Sequence, residues 1–134
     1  MIIWLASYPR SGNTFFRVIL NSAFNIKTYS IYNDKYDIAA NENTTAVVGH
    51  EMLADDFDLN ELRRDTKLYC IKTHGMPEIV KPTDKVIYLI RDGRESSLSF
   101  FNYLKDYSDN EFSLNQVIAG DPPFGTWGEH VLSW

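Results

Sequence analysis

The chain has 134 residues, 44% of them hydrophobic and 23% charged, which suits one globular domain with a single core. Its formal net charge of −5 argues against a general nucleic-acid binder, which needs a basic face. A single cysteine, Cys70, excludes an internal disulfide and gives no metal cluster, and no stretch approaches the length of a membrane span.

In chain order, the apolar run Ile2-Ile3-Trp4-Leu5-Ala6 predicts a first strand over residues 2–7. No basic region precedes it and it is too short for a signal-peptide core, so a cytoplasmic location is expected. Residues 14–24 predict a helix with Phe16, Ile19, Leu20, Ala23 and Phe24 on one face. Residues 25–45 are polar and irregular, with Tyr29, Tyr32 and Tyr36 among Asn, Asp and Lys, and suggest a long loop or short helices. Ala46-Val47-Val48-Gly49-His50 predicts a brief strand, and residues 59–64 a short helix ahead of a strand at 67–72. A strand at 85–90 and a helix at 93–105 follow. Residues 112–119 and 126–134 predict two more helices, separated by the Gly-Asp-Pro-Pro breaker at 120–123. Strands alternating with helices imply an α/β parallel sheet.

The stretch Ser7-Tyr8-Pro9-Arg10-Ser11-Gly12-Asn13-Thr14-Phe15 lies between the first strand and the first helix. This order aims backbone N–H groups and a helix N-terminus at one spot, a setting for a phosphate-like anion, and Arg10 adds a full charge with a planar fork of donors. It is not the Gly-x-x-x-x-Gly-Lys-Ser/Thr loop of ordinary ATPases and GTPases, because the basic residue precedes the glycine. Two later strands end in the same style, at Lys72-Thr73-His74 and at Arg91. Ligands bind beyond the carboxyl ends of strands in an open parallel sheet, so the three ends are expected to face one crevice. Lys72 and His74, two apart, project to one side of an extended chain, and a neutral imidazole can take a hydroxyl proton near pH 7. His50 and His130 suggest structural roles, while Tyr103, Tyr107 and Phe112 are candidates for a pocket wall or for core.

These segments together resemble the sulfotransferases that use 3′-phosphoadenosine 5′-phosphosulfate (PAPS). Residues 7–15 resemble the family's 5′-phosphosulfate loop, usually Tyr-Pro-Lys-Ser-Gly-Thr-Thr-Trp. Lys72-Thr73-His74 is similar to its Lys-x-His element, and Arg91 with Ser99 and Phe100-Phe101 to its 3′-phosphate motif. Gly125-Thr126-Trp127 followed by His130-Val131 and Trp134 resembles a further family segment. Arg10, Asn13 and Phe15 stand where many members have Lys, Thr and Trp.

The resemblance implies an α/β fold, a P-loop-like parallel β-sheet flanked by helices, with residues 1–134 forming one incomplete sulfotransferase domain. It implies sulfuryl transfer from PAPS to an acceptor hydroxyl or amine, with His74 as general base and no metal. Lys72 would meet the sulfuryl oxygens and Arg10 the leaving phosphate oxygen. Ser11, Gly12, Asn13 and Thr14 would supply donors to the 5′-phosphosulfate, Phe15 a ring face to adenine, and Arg91 with Ser99 the grip on the 3′-phosphate. On a regular helix Ser99 stands about 10 Å along the axis from its start, a separation from Arg91 that calls for a looped segment or a late helix start.

The expected partner is a small-molecule or other hydroxyl-bearing acceptor, with no nucleic acid and no membrane span. The family's later Arg-Lys-Gly-type cofactor loop is not among these residues, so the chain reads as about the N-terminal half, with self-association through exposed surfaces expected. Two alternatives stay open: an inactive or cofactor-binding-only fragment, and a P-loop nucleotide kinase. The kinase would need a loop lysine and a Mg²⁺ carboxylate at a strand end, for which Asp92 is the one tempting residue.

Overall fold

A computed structural model describes residues 1–32 and 41–134 of the chain. Its centre is a four-stranded parallel sheet. Strand β1 (Ile2–Ser7) lies between β3 (Tyr69–Thr73) and β4 (Lys85–Leu89), and β2 (Thr28–Ser30) adds beyond β3, giving the order β2-β3-β1-β4. Leu5 stands opposite Lys72, and Ser7 opposite Leu89, so the carboxyl ends of β1, β3 and β4 form one contiguous rim. The order reverses at β1, and an open α/β sheet forms its ligand crevice at such a point.

Among the described residues six α-helices flank the sheet: α1 (Asn13–Phe24), α2 (Glu42–Val48), α3 (Leu59–Arg64), α4 (Gly93–Tyr107), α5 (Leu114–Ala119) and α6 (Trp127–Ser133). The α5 and α6 starts are each fixed by a reciprocal cap, Ser113 with Gln116 and Thr126 with Glu129. One apolar cluster joins Ile2, Trp4, Tyr29, Tyr69 and Ile71, and a second joins Tyr8, Phe100, Leu104 and Val117. Beside the first cluster, the Trp4 indole N–H donates to Asp84 at 2.9 Å, and Arg63 donates to the same carboxylate at 2.8 Å. This ties β1 to α3 and to the turn before β4. Among the described residues no helix is long and apolar enough to cross a membrane.

Three expectations are corrected. Residues 46–50 do not form a strand: Glu42–Val48 is helical, capped by the Asn41 side chain and ended by Gly49 at φ 66°. The side chain of Asn21 donates to the Ala46 and Val47 carbonyls, so tertiary capping overrides the strand preference of the valines. Within the polar stretch, residues 28–30 form β2, all three buried, whereas residues 33–40, Tyr36 among them, lie outside the described residues. The third correction concerns α1. Its buried residues are Asn13 and Arg17, not the apolar row, and Phe24 is 67% exposed. Arg17 donates to Thr28 Oγ1 and lies 2.8 Å from His50 Nδ1, so the inward side of this helix is held by polar bonds.

The packing of α6 on α4 leads to one stability prediction. A Cβ at Gly93, the first residue of α4, would lie 2.7 Å from Cδ2 of the Trp127 ring. Gly93→Ala is therefore expected to destabilise by about 1–3 kcal/mol through overpacking. Thermal unfolding should show a melting temperature lower by several degrees, and an unchanged midpoint would mean that the ring moves aside without cost.

Candidate active site

The loop between β1 and α1 is bent by two residues in left-handed conformation, Arg10 at φ 64° and Gly12 at φ 94°. Glycine adopts this region freely, but a β-carbon makes it costly for arginine, by about 1–2 kcal/mol. Asn13 staples the loop to the strand it leaves, donating from Nδ2 to the Leu5 carbonyl at 2.8 Å and to Ser7 Oγ at 3.2 Å. Gly12 is the N-cap of α1 and makes no side-chain cap bond, while its carbonyl accepts the Phe16 N–H. The N–H groups of Asn13, Thr14 and Phe15 are thus left without intrahelical acceptors at the positive end of the helix dipole.

Arg10 also resolves the distance between Arg91 and Ser99. Helix α4 is regular from Gly93, capped by Asp92, whose carboxylate accepts from the Arg94 and Glu95 amides. Asp92 is therefore engaged as a helix cap. Neither a looped segment nor a late start brings Ser99 to Arg91; the β1–α1 loop lies between them. Arg10 Nε donates to Ser99 Oγ at 3.3 Å, and Arg91 Nη1 donates to the Arg10 carbonyl at 3.2 Å. The Arg10 guanidinium also sits 5.2 Å from the Tyr103 ring centre, and Arg91 forms an ion pair with Glu95 at 2.9 Å.

At the end of β3, Lys72 is buried, with its ammonium 5.8 Å from the Tyr32 ring centre. The His74 imidazole lies between the Tyr32 ring, stacked at 6.1 Å, and the Phe124 ring, edge-on at 5.9 Å. Its Nδ1 is 2.8 Å from the Ser7 carbonyl oxygen. A carbonyl only accepts, so Nδ1 carries the proton and Nε2 keeps its lone pair. Burial, followed by the nearby Lys72 charge, pushes the His74 pKa down to about 3, against the opposing bond to Ser7. The ring is neutral at physiological pH.

These groups open onto one cavity of about 730 Å³. Its charged and polar wall includes Arg10, Thr14, Lys72, His74, Arg91 and Ser99, with Gly12 and Asn13 at the loop. Tyr32, Phe100, Tyr103, Tyr107 and Phe124 form an aromatic wall. The arrangement can hold a polyanion against three cations and a helix N-terminus, with an imidazole lone pair and flat apolar surface alongside.

Two residues picked from the sequence stand apart from the cavity wall. Ser11 is buried, with its hydroxyl 3.3 Å from that of Ser96, and Phe15 is 71% exposed on α1. The Asn13 side chain points back to β1, leaving its main-chain N–H as the group it offers at the start of α1. Tyr103 and Tyr107 belong to the wall, whereas Phe112 packs against the second core cluster. Sequence reasoning missed Tyr32 as a site residue, hidden in the irregular polar stretch, and Phe124, placed by its left-handed φ of 90° just before Gly125. His50 is buried against Arg17, away from the cavity.

Comparison with known proteins agrees with this architecture. Residues 2–134 match the model of the sulfotransferase domain. Sulfotransferase 1E1 of Rattus norvegicus is 27% identical over 143 residues, covering 97% of this chain and 46% of that protein. The Homo sapiens Sulfotransferase 1E1 is 25% identical over 142 residues, with 97% and 47% covered. Among solved structures, mouse sulfotransferase SULT7A1 complexed with PAP aligns with a TM-score of 0.64 and 26% identity, covering 99% of this chain and 46% of that one. The chain spans about half the length of the curated relatives it matches.

Proposed function

The chain belongs to the sulfotransferase domain family, and from that premise we propose that its cavity binds PAPS and passes a sulfuryl group to an acceptor hydroxyl or amine. The observation that supports this most directly is convergence. Arg10, Lys72 and Arg91, from the ends of three neighbouring strands, share one cavity with the α1 N-terminus and the Nε2 lone pair of His74. The solved neighbour complexed with PAP is further support.

When bound, PAPS supplies an activated sulfuryl group on a phosphate leaving group. The residues of the chain do the rest. His74 Nε2 accepts the acceptor proton as the new bond to sulfur forms, while Nδ1–H stays on the Ser7 carbonyl. Lys72 offers its ammonium to the sulfuryl oxygens. Arg10 and the α1 amides stabilise the negative charge that collects on the departing phosphate oxygen. Arg91 and Ser99, each bonded to Arg10, would hold the 3′-phosphate.

Adenosine 3′,5′-bisphosphate, the desulfated product, tests the cofactor site without any need for turnover. Calorimetry should show binding that prefers it to ADP. Arg91→Ala should weaken that binding by about 10–150-fold, the loss of a charge-assisted hydrogen bond of about 1.5–3 kcal/mol. Equal affinity for ADP, or an Arg91→Ala chain that binds normally, would remove the basis for a 3′-phosphate site.

A further inference from the structure

We propose that His130, on α6, is a positioning residue that fixes the backbone of His74 and thereby the aim of its imidazole; this rests on the reading of His74 as the base. His130 is fully buried, yet both of its ring nitrogens are bonded. Its Nε2 lies 2.9 Å from the His74 carbonyl oxygen, and its Nδ1 lies 2.8 Å from the Tyr88 hydroxyl. The carbonyl can only accept, so Nε2–H donates to it, and in a neutral ring Nδ1 then accepts from the hydroxyl. Burial lowers the His130 pKa, which favours that neutral form.

A directional chain therefore runs from Tyr88 on β4, through His130, to the main chain of His74. The next peptide is held from the residue that follows the same helix, since the Trp134 indole N–H donates to the Gly75 carbonyl at 3.2 Å. From the opposite side, the His74 N–H donates to the Tyr32 hydroxyl at 2.7 Å. With N–H, carbonyl and Nδ1 each anchored to a different part of the molecule, the ring has one orientation in which Nε2 faces the cavity. Residues 74–76 follow the last β3 residue, beyond the strand ladder that would otherwise hold them. Misplacing a reacting group by about 1 Å can cost about 10²-fold in rate.

The test is the tautomer of His74, read from imidazole nitrogen chemical shifts in ¹⁵N-histidine-labelled protein. The unsubstituted chain should show His74 as a single Nδ1–H form. His130→Phe keeps a ring in the buried slot but removes both bonds, and should give a mixture of His74 tautomers. Adenosine 3′,5′-bisphosphate affinity should stay within about twofold, and kcat should fall by about 10–100-fold with KM little changed. His130→Gln, whose amide can still donate to the His74 carbonyl, should restore the single form. Tyr88→Phe, which deletes one oxygen, should shift His74 in the same direction as His130→Phe and decides the matter if the latter does not fold.

An unaltered Nδ1–H signal in His130→Phe, or in Tyr88→Phe where that variant decides, overturns the proposal. Loss of that signal supports the clamp even if His74→Asn leaves turnover unchanged, a result that would instead sink the reading of His74 as base.

Discussion

His74→Asn is expected to lower kcat for sulfuryl transfer by about 10²–10⁴-fold, the usual worth of a general base, while adenosine 3′,5′-bisphosphate affinity stays within about twofold. Asparagine is the informative replacement because its amide N–H can still donate to the Ser7 carbonyl, where His74 Nδ1 now sits at 2.8 Å. The loop ends would remain tied, and the one thing lost would be the basic lone pair at the Nε2 position. The substitution leaves Arg10, Lys72 and Arg91 in the cavity wall untouched. A variant that keeps its turnover would show that the proton leaves by another route.

The pH dependence carries a sign that follows from burial. His74 is held neutral down to about pH 3, first by burial and then by the Lys72 charge. Its protonation should therefore not limit kcat/KM between pH 5 and 8, where an imidazole at its ordinary value of about 6.5 would shut activity off below its midpoint. A break near pH 6.5 would mean that the ring is hydrated. Stability has the matching dependence. The unfolded chain takes up the proton below about pH 6.5 and the folded chain refuses it, so stability falls as pH drops from about 6.5 towards 3. His74→Asn should reduce that slope and leave the part due to His130, whose pKa burial also lowers.

Asp84→Ala is expected to destabilise the fold by about 3–5 kcal/mol, the cost of stripping one partner from a buried ion pair. Here burial decides the size. The Asp84 side chain is 1% exposed and that of Arg63 13%, unlike surface pairs, which contribute little. The carboxylate accepts from Arg63, from the Trp4 indole N–H and from the Lys81 amide. Alanine would leave all three donors without that acceptor. Burial by itself would raise the Asp84 pKa, but the Arg63 guanidinium, the indole and the amide outweigh it and hold the carboxyl at about 2. Its folded value lies below the unfolded one, so this contribution is complete above about pH 3.8 and is lost as pH falls from there towards 2. Urea unfolding at pH 7 measures the loss directly, and a change under about 1 kcal/mol would show that the bolt is dispensable.

Much of the site was legible because its parts are local. A basic residue at the end of a β-rich run, repeated at Arg10, Lys72 and Arg91, needs no knowledge of strand order to be noticed. The Gly12 loop likewise stands out from the adjacency of strand, glycine and helix, a setting suited to an anion. Tyr32 and Phe124 were not legible in this way. Each reaches His74 from far along the chain, Tyr32 from 42 residues before it, and neither sits in a periodic segment.

The same division holds for the fold. The strands expected at 2–7, 67–72 and 85–90 and the helix expected from 93 rest on residue type and period, and they form at Ile2–Ser7, Tyr69–Thr73, Lys85–Leu89 and from Gly93. The valines at 47 and 48 misled because Asn41, Gly49 and the distant Asn21 decide that segment as a helix. The apolar row of α1 misled because a period shows which residues share a face, not which way that face turns. Asn13 and Arg17 turned inward because the carbonyl of Leu5, the hydroxyl of Thr28 and the ring of His50 were there to meet them.

By itself, then, the sequence determined the strands around 2–7, 70 and 87, the glycine loop after the first of them, the three basic strand ends and the family, since each depends on residues close together in the chain. Only the tertiary structure decided that Arg10 stands between Arg91 and Ser99, that His74 Nδ1 meets the Ser7 carbonyl, and that His130 meets the His74 carbonyl. Those facts depend on distances between groups tens of residues apart, which are set by how sheet and helices pack and not by any local pattern.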